Sequence, residues 1–526
     1  MKRRGLFRLL FAGCLVTGAL YAGCGTETAA PSSSAAPATL SWYIHYNWYS
    51  TPWGGNLVSD TITEKTGVTV DFVTPSGNEN EKLDSLIASD SLPDLITIGW
   101  WEPQLRELVG NGYVLALNTL ADHCCPEFYE AADPDTLAWY TEEDGNVYAY
   151  PNSSYSPEDF GNNDNLASNQ TFLVRKDIYE AIGSPDMTTP EGFADAVRAA
   201  VKACPTVDGK PLIPVGAHAF TETGCDSFDK FLQNFLAVPY EKDGQIYDRT
   251  TDPDYLAWLR MFRTLGEEGY LADDIFVDQR AQMEEKIAEG RYFCMIYQRT
   301  DMDNAQKKRY REDPDSIYMA VDGPRNAAGD PHTLTVGGMA GWTVTLISKN
   351  CKDPVLAIRF LSYLMSEEAQ KLISVGVEGE TYTMQDGLAV FTPEVQQLYC
   401  SDYDRFVREI GADNTYWMLQ DNAMQSHWFV ESDPALAQME QWARPYTVYI
   451  AQYDTALPVG SAWASAEERI NELWGATLPQ LLLAPTEADF DAILSDFLTR
   501  RDELGFDEVQ AARTEQMNLA KERLGL

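Results

Sequence analysis

Residues 81–101, EKLDSLIASDSLPDLITIGWW, constrain the fold of this chain more than any other stretch. Leu83, Leu86 and Ile87 recur at three- and four-residue spacing, the apolar stripe of a short helix. Pro93 ends that helix, because the residue before a proline is pushed out of the α region. The run from Asp94 to Gly99 is short, apolar and β-branched, so it predicts a strand covered on both faces. Such strands belong to open, largely parallel α/β sheets, and those sheets bind ligands at the carboxyl ends of their strands. Trp100 and Trp101 stand at that end. The segment therefore predicts aromatic surface delivered to a cleft.

The same alternation runs along the chain. Leu40, Trp42 and Ile44 alternate with polar residues in a strand over 39–46, followed by the aromatic loop NWYSTPWGG. A helix is predicted from Asn56, a good N-cap, to Gly67, a left-handed stop, with the next strand over 68–73. A further amphipathic helix is expected within 104–120, ended by Gly112, and a turn and strand within 142–152. The pattern restarts at Thr171, and Thr189-Pro190-Glu191 opens a helix with a cap and a proline at its first position. Segments 286–298 and 337–350 each lead into a buried strand. The C-terminal third reads as helical, with Phe490, Ile493, Leu494, Phe497 and Leu498 in helical spacing behind Thr486 and Asp489.

At 526 residues the chain is too long for one core, so two lobes are expected. Lobe 1 takes 40–150 and returns over 337–376. Lobe 2 takes 151–336 and a helical part, 377–526.

Ahead of these lie 39 residues of a different character. Lys2, Arg3 and Arg4 precede a mostly apolar run from Leu6 to Leu20, the pattern of an export signal over 1–23. Leu20-Tyr21-Ala22-Gly23-Cys24 resembles the lipobox of bacterial lipoproteins, with Tyr21 where a leucine is usual. Cys24 is thus the expected lipidation site, on the extracellular face of the cell membrane. Residues 24–39 are small, Pro- and Ser-rich, and read as a flexible tether.

Charge then removes whole classes of partner. The chain carries 80 acidic and 39 basic side chains, a net −41, which becomes −45 once the four basic residues of the leader are lost. Such a surface repels nucleic acid and anionic lipid headgroups. Seven cysteines follow Cys24, an odd and irregular set that makes no disulfide framework. They read as free thiols, with a Cys204–Cys225 bridge as an option. The five histidines show no metal-binding spacing, and Cys124-Cys125 lack the paired spacing zinc needs. No metal and no cofactor are expected.

Several segments together resemble the extracellular solute-binding proteins of ABC importers, family 1, in the large lipoprotein branch of Gram-positive bacteria. The resemblance spans about residues 40–387. It is carried by SLIASDSLPDLITIG, DGNVYAYPN, FLVRKDIYEAIG with TTPEGF, the helix after Lys352-Asp353-Pro354, and VGVEGETYTMQDG. It implies an α/β, two-lobed periplasmic-binding-protein-like (type II) fold with a central cleft, no catalysis, and an ABC permease as partner of a monomer. Some members carry a calcium loop where this chain has CPTVDGKPLIP (204–214). Only Asp208 remains there as a carboxylate, against the six to eight oxygens calcium takes.

Sugars present hydroxyls that want paired donors and acceptors, and a C–H face that packs on aromatic rings. Aromatics stand at strand ends or crossovers in four places: Tyr46 and Trp48, Trp100 and Trp101, Tyr150 with Asn152, and Trp342. With Glu222 and Asp226 as acceptors in the second lobe, these are the expected ligand-binding residues. The expected function is import of an oligosaccharide, neutral rather than acidic, by hinge closure. The alternatives are the same fold binding a peptide or another solute and, more remotely, an extracellular glycoside hydrolase, which would need a carboxylate pair that does not stand out.

Overall fold

The computed structural model describes residues 36–431, 433–458 and 460–526. The leader, Cys24 and the tether up to residue 35 lie outside the described residues. Two main sheets are built from strands β1 (Ala38–Ile44), β2 (Val68–Val73), β3 (Leu95–Gly99), β4 (Ala149–Pro151), β5 (Gln170–Arg175), β6 (Ile213–Gly216), β7 (Tyr292–Gln298), β8 (Tyr318–Ala320) and β9 (Thr343–Ile347).

The first sheet has the order β2-β1-β3-β9-β4. β1 runs parallel to β2 and β3, and β9 runs antiparallel to β3 and β4. All five residues of β3 are buried, as a strand covered on both faces requires. β1 shows the two-residue period: Trp42 and Ile44 enter one core and Tyr43 enters the core on the other face. The helix Leu57–Thr66 forms where its caps direct. The Asn56 side chain accepts from the Ser59 amide at 2.9 Å, and Gly67 takes φ 69°.

The second sheet has the order β8-β5-β7-β6, with β7 antiparallel to β5 and parallel to β6. Its core joins Phe172, Val174, Phe293 and Met295 to Trp258, Phe262 and Leu478. The helix Pro190–Ala203 starts at Thr189, whose hydroxyl accepts from Gly192.

The chain crosses between lobes three times, over 152–169, 321–342 and 430–435. The short strands Leu334–Thr335 and Thr447–Val448 pair in this junction. The last crossing lies later than expected. Residues 377–419 belong to the first lobe, since Tyr382, Phe391, Tyr399, Phe406 and Trp417 share a core with β1. The second lobe resumes only near Leu436. Periodicity marks an apolar stripe but not the core it covers, so 377–526 could not be divided from sequence.

Segment 204–214 folds as a hairpin. Asp208 and Gly209 form its two-residue turn at φ 49° and 79°, the positive values a type I′ turn needs. The thiols of Cys204 and Cys225 are unbridged: one faces the Thr206 carbonyl and the other that of His218. No helix among the described residues is long and apolar enough to cross a membrane.

Candidate ligand-binding cleft

Four loops meet at one edge of the first sheet. β1 ends at Ile44 and delivers Tyr46 and Trp48; β3 ends at Gly99 and delivers Trp100, Trp101 and Glu102. β9 starts at Thr343, directly after Trp342, and β4 ends at Pro151, directly before Asn152.

Tyr46, Trp48 and Trp342 stack into a platform. Tyr46 lies 5.4 Å from Trp48 and 5.5 Å from Trp342 between ring centroids, and the two tryptophans are within 10° of parallel. Trp417, which the sequence reading did not single out, packs beneath them at 4.6 Å from Trp342. It sits in the short turn Trp417–Leu419, where no periodicity could mark it. Trp48 remains 37% exposed, so the platform is accessible, and the buried Tyr46 hydroxyl has no hydrogen-bond partner.

Asn152 holds this platform rather than lining it. It is 1% exposed, accepts from the Thr343 amide at 2.8 Å and donates to the Trp417 carbonyl at 3.0 Å. Its amide is consumed by the frame and is not free for a ligand. Tyr150 likewise points elsewhere. Its hydroxyl accepts from the Asp133 amide, and its ring lines a separate cavity of about 320 Å³ with Asp421, Met424 and His427.

Trp101 is 45% exposed and folds its indole over Gly99. A Cβ on Gly99 would lie 2.8 Å from that ring, so glycine is required there. Trp100 turns to the other face of the sheet, where it packs with Leu105 and Tyr140. The adjacent tryptophans thus leave in different directions, 6.0 Å apart and nearly perpendicular.

The second lobe supplies the facing wall. The Arg280 guanidinium lies over the Trp48 ring at 5.0 Å, held by Glu284 at 2.7 Å and Asp301 at 3.1 Å. Beyond it, His218 stacks on Tyr297 at 4.3 Å, at the carboxyl ends of β6 and β7. Burial keeps the His218 imidazole below its usual value, hence neutral, and its Nε2 has no partner. Asp226 pairs with Lys230 at 3.1 Å. Burial works to raise the Asp226 carboxyl, but Lys230 outweighs it and holds it low. Glu222 is exposed on the same loop, and its backbone carbonyl, not its carboxylate, is packed against Gly475.

Glu102 and Asp454 are two carboxyls that burial raises near the cleft. Burial, reinforced by Glu79, pushes Glu102 up to about 7, and His45 lies 4.0 Å away with its own value pushed down to about 4 by burial. Asp454, in the lobe junction, is raised to about 7 by burial, with the Gly338 amide and Lys230 opposing. Among the described residues no group of three or more His, Cys, Asp or Glu side chains is arranged to hold a metal ion.

The family model for bacterial extracellular solute-binding proteins matches residues 58–379. Lipoprotein LipO of Bacillus subtilis is 23% identical over 231 residues, which cover 42% of this chain and 45% of LipO, under half of either. Among solved structures, the alginate-binding protein AlgQ2 without calcium aligns at TM-score 0.67 and 15% identity, covering 92% of this chain and 99% of AlgQ2. The Streptococcus pneumoniae substrate-binding protein FusA, in complex with kestose, aligns at 0.68 and 14%, covering 92% and 100%. The N-glycan transport protein NgtS of the same species aligns at 0.57 and 14%, covering 92% and 99%. At these identities the likeness fixes the fold.

Proposed function

This chain belongs to the bacterial extracellular solute-binding proteins, and we propose on that premise that it captures an uncharged oligosaccharide between its lobes and passes it to an ABC importer. The family is one of transport binding proteins, not enzymes, which sets the glycoside hydrolase alternative aside.

The observation that carries the ligand class is the platform of Tyr46, Trp48 and Trp342, backed by Trp417 and facing a polar wall. Stacked indoles match the C–H face of a sugar ring. The unpartnered Tyr46 hydroxyl and His218 Nε2 offer hydrogen bonds to its hydroxyls. The relatives whose names include alginate, kestose and N-glycan share this fold, and they make sugars the first ligands to test.

Charge favours a neutral sugar. Arg280 already faces Asp301 and Glu284, and Lys230 faces Asp226, so a uronate meets cations that are occupied. It also meets the long-range repulsion of a strongly acidic chain. Binding by closure of the lobes, and anchoring through a lipidated Cys24, complete the reading. Ligand drives closure only by its greater affinity for the closed form.

Intrinsic tryptophan fluorescence of residues 25–526, titrated with neutral and acidic oligosaccharides, tests it. A saturable change with a neutral glycan, lost in Trp48→Ala, supports the reading. Silence across the panel from the folded protein, or preference for a uronate, overturns it.

A further inference from the structure

A second gap between the lobes lies on the far side of the first sheet from the platform. It has a volume of about 250 Å³. On one side are Trp100, Trp139 and Tyr140; on the other are Gln516 and Leu519 of the C-terminal helix Phe506–Leu524; Asp454 lines it from the junction.

The gap and the platform share a frame. Its lining includes Ala340, whose carbonyl accepts from the Tyr140 hydroxyl at 2.6 Å, and Trp342 follows two residues later. The Trp100 amide reaches the Trp342 carbonyl at 3.5 Å. On the second-lobe side, Lys230 pairs with Asp226 at 3.1 Å, and its charge also bears on Asp454.

The opposing surfaces are otherwise hard to account for. Trp100 and Trp139 keep part of their indoles in solvent, and Leu519 is 45% exposed on a helix whose other outward positions are mostly polar. Apolar surface left facing apolar surface across a gap is favourable once something fills it. The polar groups that converge on it are the Asp454 carboxyl, held from one side by the Gly338 amide, the Gln516 amide, Thr455, and Glu142 with Arg523, whose opposite charges act on each other. Aromatic walls with a few fixed polar groups make a ligand site. At about 250 Å³ this one is smaller than the roughly 300–1,000 Å³ of a whole ligand pocket. It suits one end of a longer ligand.

We propose that the gap is an end subsite of the cleft, in which the C-terminal helix closes over the terminal ring of a neutral glycan chain whose other rings lie on the Trp48–Trp342 platform. Trp139 is the stacking wall and Leu519 limits the depth, so together they select for chain length. This inference rests on the oligosaccharide reading given above.

The test is a titration of residues 25–526 with neutral malto-, fructo-, manno- and xylo-oligosaccharide series of increasing length. It compares the wild type with Trp139→Ala, Leu519→Trp and Trp48→Ala. The expected result is that Trp139→Ala and Leu519→Trp each weaken the longer members of the bound series about tenfold and leave the shortest binder within about twofold. Trp48→Ala weakens every length. Leu519 is exposed, so Leu519→Trp fills the gap without emptying the core. If Trp48→Ala abolishes binding while both gap variants behave as wild type, or act equally at all lengths, the end subsite falls and the oligosaccharide reading stands. If no series binds, both fall.

Discussion

Arg280 of the second lobe lies over the indole of Trp48 in the first, its guanidinium carbon 5.0 Å from the ring centroid. The contact spans the cleft between the two lobes. Cation–π contacts at partly exposed sites contribute about 0.5–1 kcal/mol. Removing this one should shift the lobes toward the open state by about two- to fivefold. Arg280→Ala should raise both the radius of gyration in small-angle scattering and the acrylamide quenching of tryptophan, with Arg280→Lys intermediate. Unchanged scattering and quenching would show that the contact does not hold the lobes together.

Asn152 is predicted to act on stability before it acts on binding. Both ends of its amide are used, by the Thr343 amide and the Trp417 carbonyl, and the residue is buried. Asn152→Ala leaves the Thr343 amide unpaired and takes one of two donors from the Trp417 carbonyl, which keeps the Gln420 amide at 3.0 Å, and should cost about 1–3 kcal/mol. Denaturant unfolding reads that loss. Asn152→Asp should fare no better, because a carboxylate cannot donate to the Trp417 carbonyl. A full-stability Asn152→Ala with weakened ligand binding would instead make Asn152 a ligand contact.

The sequence made the local frame legible. Asn56 and Gly67 bound their helix as expected, Thr189 caps the helix that Pro190 begins, and Leu95–Gly99 is the doubly covered strand. Those features depend on neighbours a few residues away. That Tyr46, Trp48 and Trp342 meet follows from topology: the residues after β1 and those just before the antiparallel β9 lie at one edge of the sheet. Arg280 and Trp417 were not legible, because what matters about them is set by contacts with residues far along the chain. Asn152 was placed at the right edge, but its bonds to the Thr343 amide and the Trp417 carbonyl were not legible, since adjacency to a cleft does not tell whether a side chain faces the ligand or the frame.

Stability should fall between about pH 4 and pH 7 because of Glu102. Its value is raised by burial to about 7, above the ordinary carboxyl value of about 4.3. Between those values the folded protein binds the proton more tightly than the unfolded chain, so stability declines as pH rises through that window. The full penalty, on the order of 3 kcal/mol, applies above about pH 7 and vanishes below about pH 4. His45, pushed down to about 4 by burial, works in the opposite sense and loses stability as pH drops below about 6.5. Comparing Glu102→Gln with wild type largely removes the histidine contribution. The variant should gain on wild type near pH 8 and match it near pH 4. A difference independent of pH would mean that Glu102 is ionised at its ordinary value.

Lys307 should couple the unfolding of the two lobes. It lies on the second-lobe helix Asp303–Glu312, is 1% exposed, and sits 3.5 Å and 4.1 Å from the ring centroids of Tyr399 and Tyr403 in the first lobe. Asp303 binds its ammonium at 2.6 Å, Asp413 lies at 3.8 Å, and Glu431 bears on it from the crossing segment. Lys307→Met removes the cation that faces them and leaves those carboxylates opposing each other in a buried site, a loss of about 3–5 kcal/mol. The loss should shrink toward acid pH, where protonation relieves the repulsion. Burial already raises Asp303 to about 6 and Glu431 to about 8 with the lysine in place. In calorimetry the wild type should unfold in one cooperative step and Lys307→Met in two near neutral pH, because the broken cluster is a principal tie between first- and second-lobe helices away from the cleft. A single unshifted transition in Lys307→Met would mean that the lobes are joined by the crossing segments alone.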